Sequence, residues 1–409
     1  MAKIQKALLM TVGVAPEESR EDLARTLLKS INSANPDIIY FFGSSLSRDT
    51  VKKMEEIYSD DPRFSLDFYE FIEVNEVDSF EKYYKAFKSQ IIKLKNDYNL
   101  VIDFTSGTKT MIISAAIVSM LAGIELFHVS GKREADKIIM GTEKVVSQNF
   151  YLVYDEMVRD YLMILFNLNR FDSAKLLVKQ ASDNFNKSVY MDLFNAYSAF
   201  DNVDYERALE FFNPKSFNKE WPMISKQLIK NRKALGIIND TKNSLSCKYI
   251  LASLLNNAKR RASEQKYDDA IARLYRSLEL IAQIKLKAFG LITSNIDLEI
   301  LKSHGVDTEY YETLRDPKSG HIKISLLQDF RLLVELDDDI GKFFKQNESK
   351  IYGSLSLRNN SILAHGLVSK TREDYESFSK IVLDMANALD KDMGKFLDHT
   401  KFPIFDDED

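Results

Sequence analysis

Arg358-Asn359-Asn360-Ser361-Ile362-Leu363-Ala364-His365-Gly366 sets an arginine and a histidine seven positions apart near the C-terminal end of this chain. A guanidinium offers a fixed fork of donors to phosphate oxygens. An imidazole titrates near neutrality and serves as either acid or base. RNA cleavage calls for such groups: a 2′-hydroxyl must be activated, the leaving oxygen protonated, and charge on the phosphorane stabilised. A DNA strand lacks the attacking hydroxyl. One chain supplies one histidine of this kind, whereas the reaction uses an acid and a base, so a two-fold dimer with two motifs side by side would supply both.

The spacing predicts one continuous helix. At 100° per residue, seven steps return to within about 20° of the start, so Arg358 and His365 share a face with Ile351, Leu355 and Ile362. Gly366 then suits the helix C-cap. Polar groups on an apolar seam are costly unless paired or used, so the pair reads either as a reactive site or as a satisfied buried Arg/His cluster, and physics alone leaves both open. Short Arg/His spacings also arise by chance. The other one, Arg315 to His321, spans Asp316-Pro317-Lys318-Ser319-Gly320 and cannot be a continuous helix.

A second set of reactive types lies far upstream. Thr105-Ser106-Gly107-Thr108-Lys109 follows the apolar run Leu100–Phe104 and precedes the helical run Met111–Ala122. It brings hydroxyls, a glycine and a lysine to a helix N-terminus, where free N–H groups favour phosphate. The alternative is an ordinary strand-to-helix turn with an exposed lysine. Neither a Walker A loop nor a Gly-x-Gly-x-x-Gly fingerprint is present, which disfavours ATP hydrolysis and hydride transfer.

The elements that must position these residues alternate strand and helix over 1–150. Strands are predicted at Ala7–Val12, Asp37–Phe42, Phe68–Val74, Leu100–Phe104 and Glu125–Val129. Helices are predicted at Ser19–Asn32, Arg48–Tyr58, Asp78–Asp97 and Met111–Ala122. This pattern implies a parallel sheet wrapped by helices, with ligands beyond the carboxyl ends of its strands. Three small polar loops fall at that edge, holding Thr11 and Gly13, Ser44 and Ser45, and Thr105 to Lys109. From Tyr151 onward the pattern is helical. Phe171-Asp172-Ser173-Ala174, Tyr205-Glu206-Arg207-Ala208 and Tyr267-Asp268-Asp269-Ala270 are out of phase as repeats and read as helix starts. Breaks at Pro214, Trp221-Pro222 and 239–246 divide the chain into 1–150, a connecting region 151–245, and 246–409.

The composition narrows the partners. The first 150 residues hold 19 basic and 22 acidic side chains, so nucleic-acid contact is confined to a local site. The single cysteine, Cys247, excludes an internal disulfide and suits a reducing cytoplasm. The longest apolar run, Met111–Ile124, is about five residues short of a membrane span. No metal-ligand spacing of His, Cys, Asp or Glu stands out, and no cofactor is expected.

Both halves resemble a known family. Asp103-Phe104-Thr105-Ser106-Gly107-Thr108-Lys109-Thr110-Met111, with Gly13 and Ser44-Ser45, is similar to the ligand loops of CARF domains, the Rossmann-like sensors of CRISPR systems. Serine at 106 stands where that family commonly has glycine. Arg358-x6-His365 with Asn359, and the helix from Tyr267 to Leu280, resemble the HEPN ribonuclease domain of type III ancillary nucleases. The resemblance implies an α/β CARF domain followed by an all-α HEPN domain, in a homodimer. It implies a metal-independent endoribonuclease that cleaves single-stranded RNA to a 2′,3′-cyclic phosphate once cyclic tetra- or hexa-adenylate binds. On that reading Arg358, Asn359 and His365 carry the cleavage. Thr11, Gly13, Ser44, Ser45, Thr105, Ser106, Gly107, Thr108 and Lys109 hold the ligand. The rivals are a non-catalytic sensor whose helical half binds a partner, and a ring nuclease that cleaves its own ligand with hydroxyls such as Thr11 or Thr105. A metal-dependent DNA nuclease would need an acidic-x-Lys core, which is not evident after residue 150.

Overall fold

In the computed structural model the described residues are 5–60, 66, 68–134, 137–139, 141–148, 150–182, 185–363 and 366–406. They form two compact units, Met1–Asp160 with Ala181–Phe185, and Tyr161–Gln180 with Asn186–Asp409. No helix among them is long and apolar enough to cross a membrane.

The first unit contains β1 (Gln5–Thr11), α1 (Glu17–Ala34), β2 (Ile38–Gly43), α2 (Arg48–Asp60), β3 (Tyr69–Glu73), α3 (Phe80–Leu94), β4 (Tyr98–Asp103), α4 (Lys109–Ala122) and β5 (Glu125–Ser130). The short hairpin β6 (Arg133–Glu134) and β7 (Lys137–Ile138) precedes β8 (Lys144–Gln148). The six-stranded sheet runs β3-β2-β1-β4-β5-β8. Its first five strands are parallel, and β8 is antiparallel to β5. Period-2 alternation builds a core on each face: Ala7 and Leu9 join Phe42, Tyr83, Phe87 and Met111 on one, while Leu8 and Met10 join Ala24, Leu28 and Phe41 on the other. Strands covered on both faces read as continuous apolar runs, which is why they are visible in the sequence. β8 was not expected. Its Lys-Val-Val-Ser-Gln is short, half-exposed and at the sheet edge, where little burial marks the pattern.

Strand order reverses between β1 and β4, since β2 and β3 lie to one side of β1 and β4 and β5 to the other. That reversal opens a crevice at the carboxyl ends of β1 and β4. It places the loops after Thr11 and after Asp103 side by side.

The second unit is helical. α5 (Tyr151–Asn167) runs into it from the first unit and is followed by α6 (Phe171–Val178), α7 (Lys187–Asp201), α8 (Tyr205–Phe211), α9 (Pro214–Glu220) and α10 (Ser225–Asn239). Then come α11 (Ser246–Ser263), α12 (Tyr267–Ala288), α13 (Leu298–Ser303), α14 (Glu309–Glu312), α15 (Leu326–Glu335), α16 (Asp339–Gln346), α17 (Glu348–Asn359), α18 (Arg372–Leu389) and α19 (Met393–Thr400). Phe171, Tyr205 and Tyr267 each open a helix, as their aromatic-acidic-x-Ala signals suggested. A buried charge cluster ties α7 to α11: Asp201 accepts from Arg260 Nε at 2.8 Å, from Arg261 Nη2 and from Asn257 Nδ2. The Arg260 guanidinium also lies 3.6 Å from the centre of the Phe402 ring.

Candidate functional site

In the first unit, the switch-point loops are bound to each other. Thr11 is fully buried and its hydroxyl donates to the Ser106 carbonyl. The Gly13 N–H donates to Ser106 Oγ at 3.1 Å. A Cβ on Gly13 would lie 2.8 Å from Ser106 Oγ and 2.9 Å from Gly107 N, so only glycine allows this approach. Gly107 itself takes φ +130°, a conformation that side chains rarely adopt.

Asp103, at the end of β4, is the hub beneath these loops. It is fully buried and accepts from the Thr105 N–H at 2.6 Å, from the Thr105 hydroxyl at 3.0 Å and from the Ser30 hydroxyl. Burial pushes its carboxyl up to about 6, against the pull of Ser30 and Thr105. A carboxyl raised in the folded state holds its proton longer there than in the unfolded chain. Stability is therefore greatest below the ordinary value of 3.8 and falls as pH rises through about 6. We expect wild type to lose roughly 2–3 kcal/mol more than Asp103→Asn between pH 4 and 7, read from urea unfolding of both proteins. Identical pH profiles would show that Asp103 is not the group responsible.

The nine ligand-loop residues thus divide in two. Thr105 donates to Asp103 and accepts from the Val129 N–H at 2.8 Å. Thr108 caps α4, accepting from Met111 N at 3.3 Å and donating to the Val77 carbonyl at 3.1 Å. Ser44 is buried, its N–H donating to Ser47 Oγ and its hydroxyl 3.2 Å from the Ser47 hydroxyl. These hydroxyls, with Thr11, hold the loops together. Ser45 and Lys109 are exposed, Lys109 in the first turn of α4. Ser106 accepts from Gly13 and keeps its own proton to donate. The sequence reading names Asp103 within the motif but gives it no role of its own, and it does not name Ser30. Asp103 had a visible sign, an acid ending a wholly apolar strand, whereas nothing on α1 marks Ser30.

In the second unit the expected continuous helix is corrected. α17 ends at Asn359, and the Ser361 N–H closes a tight turn onto the Arg358 carbonyl at 3.0 Å. Asn359-Asn360-Ser361 are poor helix formers whose side chains compete for backbone groups. The next N–H, of Ile362, is captured by Asp268 Oδ1 at 3.3 Å. Ile351 and Leu355 are buried as the stripe required, but Ile362 is 58% exposed, because the helix has stopped before it. Gly366 caps no helix. Its N–H donates to the Ser361 carbonyl at 3.1 Å, and a Cβ there would lie 2.0 Å from Asn360 O. His365 lies outside the described residues; Gly366, the residue after it in the chain, packs on the residue two after Arg358.

Arg358 is half-buried in the last turn of α17, its guanidinium 4.5 Å from the centre of the Tyr275 ring on α12 and its Nη1 donating to Asn359 Oδ1 at 3.2 Å. Asn359 is exposed. Burial first, then the neighbouring Glu279 charge, raise the Tyr275 hydroxyl, while Arg358 opposes them. Asp329 on α15 is buried with Oδ1 unpartnered, and burial with the Glu279 charge pushes its carboxyl up to about 7. The competing Arg315 is held by Glu312 at 2.6 Å and by the Gly320 carbonyl at 2.7 Å, which leaves its fork occupied. Among the described residues no group of three or more His, Cys, Asp or Glu could hold a metal ion.

Comparison with known proteins gives this geometry its relatives. Residues 240–389 match the family model described as the Csm6 HEPN domain. Csm6 of Enterococcus italicus, solved bound to cyclic hexa-2′-fluoro-hexa-dAMP, is similar in fold with a TM-score of 0.62. The two share 15% sequence identity, over 97% of this chain and 98% of that one. No curated protein sequence matches. A stretch that matches the Csm6 HEPN model thus follows a Rossmann-like unit of switch-point loops, on a chain whose fold is similar to that of a Csm6.

Proposed function

We propose that this chain is an endoribonuclease activated by cyclic oligoadenylate and acting in type III CRISPR defence. The observation that carries the reading is Arg358. It is half-exposed at the end of α17 beside a closed turn, within the stretch that matches the Csm6 HEPN model. In this reading Arg358 binds the scissile phosphate and His365 transfers the proton to or from the ribose and leaving oxygens. Asn359 supports Arg358. The reaction is transesterification by the 2′-hydroxyl of single-stranded RNA, leaves a 2′,3′-cyclic phosphate and uses no metal or other cofactor.

A homodimer completes the chemistry, because each chain brings one such histidine. Two apolar surfaces support that assembly. Ile362, Leu363, Leu367 and Val368 are exposed around the turn after Arg358, and Ile113 and Leu121 are exposed on α4. In the first unit the ligand is held by the backbone N–H groups of Ser106 and Gly107, by the Ser45 and Ser106 hydroxyls, and by Lys109 at the start of α4. The similar structure's ligand is an analogue closed from six nucleotides, so cyclic hexa-adenylate is the first ring to try and cyclic tetra-adenylate the second.

The test is labelled single-stranded RNA with EDTA present, incubated with and without each ring. Cleavage that depends on one of the rings is the expected result; no cleavage with either ring would leave a sensor without enzyme activity. Lys109→Ala is expected to raise the ring concentration for half-activation about tenfold, the equivalent of 1.4 kcal/mol. An unchanged activation curve would remove Lys109 from the ligand site. A ring nuclease working through Thr11 or Thr105 is disfavoured, since both hydroxyls already donate within the fold. Chromatography of the ring after incubation tests that directly.

A further inference from the structure

Helix α12 is packed between α11, α15 and α18, and most of its length is core: Ala270, Ile271, Leu274, Leu278, Ile281 and Ala282 are buried. One stripe of it is polar. Asp268, Tyr275 and Glu279 are seven and eleven residues along, which is within about 20° of one direction at 100° per residue. Each touches something that bears on the Arg358 turn.

Asp268 receives two main-chain N–H groups from opposite ends of one loop. Its Oδ1 accepts from Ile362 at 3.3 Å and its Oδ2 from Lys370 at 3.0 Å. A carboxylate accepts on both oxygens, and charge-assisted bonds of this kind are roughly twice as strong as neutral ones. Tyr275 lies under the Arg358 guanidinium at 4.5 Å, and Glu279, itself bonded to Arg276 at 3.2 Å, neighbours the Tyr275 hydroxyl. A long arginine at a helix end otherwise explores many rotamers, and a ring beneath it removes that freedom in advance.

We propose that α12 presets the cleavage site, with Tyr275 docking Arg358 and Asp268 clasping the main chain at Ile362 and Lys370, on either side of His365 in the sequence. Both are positioning residues: neither touches RNA, and each acts through a residue that does. The inference rests on the ribonuclease reading above. A misplacement of about 1 Å costs on the order of 10²-fold in rate, so the expected losses are large and fall on kcat.

Asp268→Ala, which frees both ends, is expected to lower kcat about 30-fold or more with KM for RNA changed less than about threefold. Asp268→Asn, which accepts on one oxygen only, falls between. Asp269→Ala is the control. That residue is also an acid in the first turn of α12, but it bonds Arg273 instead of the loop. Tyr275→Leu is expected to lower kcat about tenfold, and Tyr275→Phe, which restores the ring, to recover most of that loss. Independently of activity, the Ile362 and Lys370 amides should exchange hydrogen faster in Asp268→Ala than in Asp269→Ala, with α11 core amides unchanged as the check on folding. Should Asp268→Ala unfold, Asp268→Asn carries the same comparison with one amide released. If RNA is cleaved but the Asp268 and Tyr275 variants match Asp269→Ala in rate and exchange, the proposal is overturned and the ribonuclease reading stands. If no RNA is cleaved, that reading fails, and the exchange rates alone decide whether Asp268 holds the loop.

Discussion

His365→Ala is expected to lower ring-activated RNA cleavage by roughly 10²–10⁴-fold, the usual worth of a positioned proton-transfer group. Binding of cyclic oligoadenylate and dimer formation should be unchanged, because the proposed ring site lies in the first unit. Arg358→Ala should be at least as damaging, since it removes the only group proposed to hold the phosphate. Arg358→Lys is a sharper probe. It keeps the charge but loses the planar fork and the flat contact with Tyr275, so it should recover little. The readout is the single-turnover rate on labelled RNA with saturating ring, beside ring affinity and sedimentation. Full cleavage by His365→Ala would sink the assignment.

Asp201→Ala is expected to destabilise the second unit by about 3–5 kcal/mol, because it strands buried charge. Asp201 faces Arg260 at 2.8 Å and also Arg261, and all three side chains are nearly inaccessible. Burial already pushes the Arg260 guanidinium down, and the Asp201 charge is what counters it. With the acid gone, Arg261 keeps Glu264 at 3.0 Å, whereas Arg260 is left with the face of Phe402 and no ion pair among the described residues. The expected fall in melting temperature is about 10 °C for a unit of this size. Adding Arg260→Met to Asp201→Ala should restore part of it, since the cost lies in the orphaned cation more than in the lost pair. A melt unchanged in Asp201→Ala would show that water reaches the cluster. Because Asp201 ends α7 and Arg260 lies in the last turn of α11, the same test asks whether the connecting helices brace those of the HEPN match.

The sheet was legible because its strands are apolar on both faces, and Leu100–Ile102 and Leu8–Met10 announce themselves without any fold in mind. The helix starts at Phe171, Tyr205 and Tyr267 were legible for a local reason as well: an aromatic followed by acids suits a first turn. Spacing misled at Arg358. A seven-residue step marks a shared face only while the helix lasts, and Asn359-Asn360-Ser361 ends it with help from Asp268, 94 residues away in sequence. Side-chain direction misled at the ligand loops. Threonines and serines at a strand end read as groups offered to a ligand, yet Thr11, Thr105, Thr108 and Ser44 turn inward, because buried loop N–H and C=O groups need partners. No pattern along one segment reveals such long-range capture, and Tyr275 under Arg358 is of the same kind.

The inward turn of those hydroxyls bears on how long a signal lasts. With Thr11 and Thr105 committed to the fold, neither is offered to a bound ring as a nucleophile. Any cutting of the ring would fall to the ring's own 2′-hydroxyls. The lifetime of the signal would then be set by how the bound ring is bent, because a 2′-hydroxyl attacks only when it lies in line with the adjoining phosphate. A ring without those hydroxyls would never be run down, and the difference between the two rings would time the protein's own off-switch.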